Sequence, residues 1–338
     1  MIDIKKIKII LSFLEKNKFL FDENVCLKEF SYFKTGGKVK LIVYPKTEDE
    51  IRLFLKFTYE ANIDYKIIGD TSNLLFLDDK VYGLFLSLKN LSTIKKNNDL
   101  IFADAGASLP VLSRKALLWE LSGFEGLEGI PGSVGGAVIM NAGAYGNEIK
   151  DHLINVSGFK KNGEKFVFNN EECLFKNRNS IFRQKSGDFI ILSASFRGNR
   201  SNWKNIYKKM ELFHSKRHKY QDFLYPTLGS IFSTNDIYKD LACNDKKLKF
   251  LLFWYRKIFY SNKIRKETPI NRIKLNNFIC NYYDWKFENQ PFSNKTLNCI
   301  TNRGQHTNEI ISYINLLKSK LPQAIKIENE IIKDNILE

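Results

Sequence analysis

The sequence predicts a mixed α+β protein of two domains, on three observations. The chain has 338 residues, 43% apolar and 27% charged, enough for two ordinary globular cores. Short β-rich runs bounded by polar turns alternate with helix-period segments up to about residue 200. Glycine is concentrated: Gly123–Gly146 holds eight of the nineteen glycines. Glycine loses the most backbone freedom on ordering. A dense run without repeat therefore needs turns at positive φ, or close approach of the main chain to a flat or anionic group.

In chain order, residues 1–30 open with Lys interspersed among Ile, Leu and Phe. This reads as an amphipathic helix, with no small-residue cleavage site behind it. Phe33-Lys34-Thr35-Gly36-Gly37 is a turn feeding the strand Leu41–Tyr44, which Pro45 closes. Thr47 and Glu50 have capping-box spacing, and Ile51, Phe54 and Leu55 supply the apolar face of the helix behind them. Tyr65–Ile68 is a short strand, a polar loop follows, and Leu74–Phe76 resumes the apolar run. This is a βαβ-like lobe of about residues 31–90. Strands at Val81–Leu88 and Leu100–Ala105 come next, then a helix over Leu109–Glu120 with Pro110 in its first turn, where a missing N–H costs little. Strands at Ile154–Phe159, Lys165–Phe168 and Phe189–Phe196 complete a second lobe of about residues 91–200. Near the end, a helix runs from Thr307, read as its N-cap, to Lys320, with Ile310, Ile311, Ile314 and Leu317 on one face. Pro322 stops it, and Ala324–Ile331 reads as a terminal strand.

Two glycine loops carry the chemical signal. Gly69-Asp70-Thr71-Ser72-Asn73 follows a strand, so it can present N–H and hydroxyl donors to a pyrophosphate. It is not the GxGxxG fingerprint, and no helix opens directly behind it. In the second loop Gly132, Gly135 and Gly136 are expected to leave main-chain N–H groups bare around Ser133, and Asn141 adds a side-chain amide. A tight packing loop inside a β-rich core is the alternative for this stretch.

GDTSNLL at Gly69–Leu75, GIPGSVGGAVIMNAGAYG at Gly129–Gly146 and NRNSIF at Asn177–Phe182 together resemble the UDP-N-acetylenolpyruvoylglucosamine reductases of bacterial cell-wall synthesis. The resemblance runs from about Tyr32 to Phe196, is partial from Lys216 to Phe232, and becomes recognisable again up to Ile331. It implies a two-lobed, PCMH-type FAD-binding domain over residues 31–200, followed by a smaller α+β substrate-binding domain over 201–338. FAD would be held by Gly69, Thr71, Ser72, Asn73, Gly132, Ser133, Gly135, Gly136, Asn141, Ala142 and Gly143. NADPH would reduce the flavin, whose N5 then passes hydride to the vinyl carbon of an enolpyruvyl ether on a UDP-sugar. Negative charge would build on the substrate carboxylate as an enol forms, and the adjacent carbon would be protonated.

By the same resemblance Arg178 is the catalytic arginine, and its fixed fork suits a carboxylate. Ser230, in Leu224–Phe232, is the proton donor. Glu330, the second glutamate of Ile327-Glu328-Asn329-Glu330-Ile331, helps hold the enol. Lys219 and Asn235 fall nearest to the family's substrate contacts. There are departures. Asn177 stands where the family usually has Tyr; Ser233, Thr234 and Asn235 stand where it has Lys-Asn-Pro; Asn329 replaces a proline. The short gap between Phe182 and the strand at Phe189 leaves no room for the extra substrate-covering loop of one branch, so the loop-lacking, type II-like branch is expected.

The formal charge, 53 − 37 = +16, calls for anionic partners. The lysines are spread along the whole chain, which fits broad compositional bias better than a nucleic-acid stripe and is compatible with FAD, NADPH and a UDP-sugar as the anions; no nucleic-acid partner is expected. An apparent insertion over 236–266 sets Lys246, Lys249, Lys257, Lys263, Arg265 and Lys266 around Phe253, Trp254 and Phe259. A basic amphipathic segment can lie on an anionic membrane or pack as an extra helix on the substrate domain; the packed reading is the expectation. Five scattered cysteines without a CxxC pair and four scattered histidines argue for a reducing, cytoplasmic setting and against a metal site. A monomer is expected. Two rivals remain at this stage: an oxidase on the same flavin scaffold, and a divergent non-catalytic relative binding anionic partners. No histidine precedes His152, which disfavours covalent flavin attachment at the first glycine loop.

Overall fold

The computed structural model describes residues 4–260 and 269–333. After helix α1 (Ile4–Lys16) come β1 (Phe21–Cys26), β2 (Lys38–Val43), helix α2 (Glu48–Glu60), β3 (Lys66–Ile68), β4 (Leu74–Phe76) and β5 (Val81–Ser87). The first sheet has the order β1-β2-β5-β3, parallel except for β1. Thr47 Oγ1 accepts the Glu50 N–H at 3.1 Å, which is the expected cap, while the Glu50 carboxylate reaches back to the Lys46 N–H at 2.7 Å. Residues 21–26, read with the N-terminal helical segment from sequence, are an edge strand of this sheet; β1 pairs with β2 from Phe21↔Val43 to Cys26↔Lys38.

The second sheet is antiparallel. Its strands are β6 (Ile94–Asn97), β7 (Leu100–Asp104), β8 (Leu153–Lys160), β9 (Lys165–Asn169) and β10 (Phe189–Arg197), in the order β9-β8-β10-β7-β6. Helices α3 (Leu109–Leu118) and α4 (Val134–Ile139) lie between β7 and β8 in the chain. One apolar cluster joins α1 (Ile10, Leu14), α2 (Phe54), the first sheet (Leu84), α4 (Val138) and the second sheet (Phe196). The N-terminal helix is therefore part of the main core.

The remaining chain holds α5 (Trp203–Tyr220), β11 (Thr227–Ser230), α6 (Lys246–Tyr260), α7 (Pro269–Tyr282), β12 (Phe292–Ser293), β13 (Thr296–Thr301), α8 (Thr307–Lys320) and β14 (Glu330–Ile332). Its sheet runs β11-β13-β12. Leu228, Ile231, Phe232, Leu248, Leu252, Ile310 and Tyr313 form its core together with Phe33 and Leu75 of the first lobe. The expected terminal strand is short, and it pairs in parallel with β4, Glu330↔Leu74 to Ile332↔Phe76. The chain thus returns to the first lobe. The inner face of α6 (Leu248, Leu252) is packed in this core, in line with the extra-helix reading; Lys263, Arg265 and Lys266 lie outside the described residues.

Thr307 is not an N-cap. His306 Nδ1 caps α8 by accepting the Asn308 N–H at 3.2 Å, and Thr307 is fully buried. Thr307 instead latches the two halves of the molecule. Its N–H donates to Asp78 Oδ2 at 2.9 Å, and its Oγ1 accepts the Asp78 N–H at 2.8 Å. Asp78 Oδ1 accepts the Gly36 N–H at 3.0 Å. Burial pushes the Asp78 carboxyl up, but the Gly36 and Thr307 donors, with Lys28 and His306 nearby, more than offset this and hold it below its ordinary 3.8. A folded-state value below the unfolded one stabilises the fold above the unfolded value, and this stability is lost as pH falls through the folded value. Asp78→Asn should therefore cost about 1–3 kcal/mol at neutral pH, because it turns one acceptor into a donor facing a buried N–H. In urea titrations the gap from the parent chain should narrow as pH drops below 3.8; a gap independent of pH would remove the charge from this account.

Candidate functional site

The two glycine loops, far apart in sequence, interlock. Residues 69–73 join β3 to β4, and residues 131–133 lead into α4. Ser72 Oγ donates to the Pro131 carbonyl at 2.9 Å. A Cβ at Gly69 would stand 2.6 Å from Ser133 Oγ, and one at Gly132, where φ is +133°, would stand 2.9 Å from Ser72 Oγ. Each loop thus needs its glycine so that the serine of the other can approach. Thr71 is held at φ +58°, a costly conformation for a β-branched residue, and its Oγ1 accepts the Tyr32 N–H at 2.8 Å. Among the described residues, the N–H groups of Asp70, Thr71, Ser72, Asn73, Gly132 and Ser133 donate to no protein acceptor. Six donors on two apposed turns suit an anionic group such as a diphosphate.

Parts of the second loop behave differently from the sequence expectation. The Gly135 N–H is not bare: it donates to Ala105 O at 2.8 Å, and a Cβ there would stand 3.0 Å from Ala105 Cβ. The Gly136 N–H donates to Ser133 Oγ at 3.3 Å. Asn141, fully buried, has its amide engaged by the protein; Nδ2 donates to Glu148 Oε2 (3.0 Å) and Lys176 O (3.1 Å), and Oδ1 accepts the Lys150 N–H (3.1 Å). A buried amide must find partners, and here the protein supplies them. The Ala142 N–H likewise donates to Ala137 O at 2.8 Å. Gly129 makes room for the buried Arg217, whose Nε would stand 2.2 Å from a Cβ there. For this part of the stretch, the packing alternative describes the glycines.

Arg178 sits at φ +52° in the turn between β9 and β10. Its Nη2 donates to Gly143 O at 2.8 Å, and its Nε donates to Glu328 Oε2 at 3.2 Å. Nη1 has no partner among the described residues, and the side chain is 29% exposed. A hollow of about 450 Å³ opens here, lined by Gly143, Tyr145, Lys150, Asn177 and Arg178 among others. Glu330, expected to help hold the enol, pairs with Lys66 Nζ at 2.6 Å, and it is Glu328 that meets the arginine. Ser230 ends β11 at the surface, and its hydroxyl has no partner among the described residues. The next residue connects it to the same strip of chain, since the Glu328 N–H donates to Ile231 O at 2.8 Å. Asn73 reaches that strip as well: Nδ2 donates to Glu328 O (3.2 Å), and its carbonyl accepts the Glu330 N–H (3.0 Å). Lys219 and Asn235 are exposed, on the last turn of α5 and in the loop after β11.

A model of the FAD binding domain matches residues 39–168. The UDP-N-acetylenolpyruvoylglucosamine reductase of Lactobacillus acidophilus is 38% identical over 219 residues, 65% of this chain and 73% of that protein. That of Syntrophomonas wolfei is also 38% identical, over 66% of this chain and 74% of its own. The chain belongs to the UDP-N-acetylenolpyruvoylglucosamine reductase family. The crystal structure of the reductase from Thermus caldophilus superposes with a TM-score of 0.68 over 93% of this chain and 100% of that one; at 22% identity it speaks for the shared α+β fold. The bare N–H groups of the interlocked loops fit the family's FAD, with Gly69–Asn73, Gly132 and Ser133 as the residues present to hold it.

Three residues of this site escaped the sequence reading. Glu328 was passed over for the glutamate two positions on. Lys66 looked like the start of a strand. Arg183 lies one residue beyond the NRNSIF motif; its Nη1 donates to Arg178 O at 2.6 Å, and its Nη2 donates to Glu328 O at 3.0 Å. Nothing local marks any of them, because each acts through a partner more than a hundred residues away or through a carbonyl.

Gly132→Ala should lower FAD affinity about tenfold or more, read from the flavin-to-protein absorbance ratio after dialysis. Gly163→Ala is the control: it too adds a methyl at positive φ (+84°), yet no atom lies within 4 Å of that methyl. Equal flavin loss in both would show that backbone strain, not the Ser72 contact, matters.

Proposed function

We propose that the junction of Arg178, Ser230 and Glu330 is where this chain carries out its family's reaction. Membership sets the activity: an FAD- and NADPH-dependent oxidoreductase that reduces UDP-N-acetylglucosamine enolpyruvate to UDP-N-acetylmuramate, a step of peptidoglycan precursor synthesis. When bound, the flavin supplies hydride transfer from NADPH to the substrate's vinyl carbon. The chain's own residues have three tasks: orient the substrate carboxylate, stabilise the charge that grows on it, and deliver a proton to the adjacent carbon.

The observation that carries this reading is Arg178, fixed on two sides and open on the third. Its free Nη1, beside the hollow, suits a carboxylate, and a positioned guanidinium stabilises developing negative charge. The two bonds that fix it reduce the ordering needed on substrate arrival. Ser230 suits the proton donor because its hydroxyl is not engaged elsewhere; a weak acid of this kind works only when held close to the carbon it protonates. Glu330 would meet the enol. A bare carboxylate there would repel the growing charge, and Lys66 at 2.6 Å compensates for it. Lys219 and Asn235 are assigned to the outer parts of the UDP-sugar, where their exposure leaves them available. The division near residue 200 is kept, with residues 1–30 joined to the first lobe and β14 reaching back from the substrate-binding part. No helix among the described residues is long and apolar enough to cross a membrane, and the assignment is to a cytoplasmic monomer.

In anaerobic stopped-flow, Ser230→Ala should leave flavin reduction by NADPH intact and slow reoxidation by the enolpyruvyl sugar by about 10²–10⁴. Near-normal reoxidation would sink the proton-donor role. Lys66→Met should slow the same second step roughly tenfold, with Lys66→Arg restoring most of the rate. If the methionine variant matches the parent, the charge-compensation account of Glu330 fails.

A further inference from the structure

Helix α6 (Lys246–Tyr260) lies within the segment that the family resemblance does not cover. One face is packed, with Leu248 and Leu252 buried in the C-terminal core. The Arg256 guanidinium on its flank is tied to the Asp236 carboxylate at 2.8 Å. The opposite face is unusual for a solvent-facing helix. Phe250 is 63% exposed, Phe253 61% and Trp254 43%, spaced three and four residues apart. Their rings touch one another, Phe253–Trp254 at 5.7 Å and Phe250–Trp254 at 6.3 Å, so they form one apolar patch. At 3.6 residues per turn, Lys246, Lys249 and Lys257 project within the same arc of roughly 140°. The Lys257 ammonium stands 5.0 Å from the Trp254 ring centre. The helix contains no Asp or Glu.

We propose that the outer face of α6 is a peripheral docking surface for an anionic phospholipid membrane. Exposed aromatic side chains rimmed by flexible ammonium groups match the boundary between acyl chains and acidic headgroups. The rings enter the boundary layer, and the lysines meet phosphate oxygens. A second copy of this chain fits less well, because two faces carrying the same lysines without a counter-charge repel each other. Nucleic acid fits less well too, because the three rings pack edge-on against each other and leave no flat platform for successive bases.

The test uses the full-length, flavin-loaded protein and flotation with vesicles of phosphatidylcholine alone or with about one third phosphatidylglycerol. Binding should favour the anionic vesicles roughly tenfold and fall steeply at about 0.5 M salt. The combined Phe250→Ser, Phe253→Ser, Trp254→Ser chain should drop to background while keeping its flavin. A second variant, Lys246→Gln, Lys249→Gln, Lys257→Gln, changes only exposed positions and keeps the test decisive if the first does not fold; it should lose the preference for anionic over neutral vesicles. The proposal is overturned if the parent chain does not float with anionic vesicles, or if the lysine variant floats like the parent. It is also overturned if sedimentation shows a dimer that the aromatic variant abolishes, or if single-stranded RNA is shifted while vesicles are ignored.

Discussion

One residue, Glu328, holds the candidate site together. Its N–H donates to Ile231 O, next to Ser230, at 2.8 Å. Its carbonyl accepts from Asn73 Nδ2 of the first glycine loop at 3.2 Å and from Arg183 of the arginine turn at 3.0 Å. Its side chain accepts from Arg178 at 3.2 Å. The flavin loop, the arginine and the serine strand come from distant parts of the chain, and this residue orders them relative to one another. Closing such long loops costs entropy that grows only slowly with length, so a few good hydrogen bonds in a protected place can hold them. Continuation of the same strip as β14 on β4 extends the connection into the first sheet.

Strain collects around this node. Thr71, Asn141, Tyr145 and Arg178 all have positive φ without being glycine. Each such residue costs of order 1–3 kcal/mol and persists only where its surroundings over-determine it. The surroundings here do so. Thr71 is held through Tyr32, Asn141 through three hydrogen bonds of its side-chain amide, and Arg178 through Arg183 on its carbonyl and two acceptors on its guanidinium. Rigid placement of the fork and of the loop donors is what a reaction controlled by charge stabilisation needs, because the groups do not have to reorganise as charge appears.

Local features were legible in the sequence, and their partners were not. The Thr47 cap, Pro110 in the first turn of α3 and the strands around the glycine loops follow from rules acting over a few residues, and they stand where expected. The pairing of the loops was readable only as a consequence of two glycine clusters needing a common object. Thr307 has the composition of an N-cap, yet His306 takes that place because Asp78, far back in the chain, binds Thr307 on both its N–H and its hydroxyl. Asn141 looked available because its amide is polar; Glu148, Lys150 and Lys176 engage it only once the chain has folded. The choice between Glu328 and Glu330 as the arginine's neighbour depends on how β14 lies on β4, a register that neither strand specifies alone.

The departures from the family pattern meet in space. Asn177, where Tyr is usual, donates from Nδ2 to the Oγ of Ser233 at 3.2 Å, and Ser233 itself stands where Lys is usual. Asn329, in place of a proline, is buried, and its Nδ2 donates to Asn73 Oδ1 at 3.0 Å and to Leu228 O at 3.1 Å. Proline would fix this position through its ring, which locks φ. Asparagine restores that freedom to the backbone, and its side chain removes it again by bonding to the flavin loop and to the serine strand together. Asn177 and Ser233 thus contact each other, Asn329 contacts the flavin loop and the serine strand, and Thr234 bonds Asp240, so the chain around Arg178 and Ser230 is held by bonds that a proline at 329 could not make.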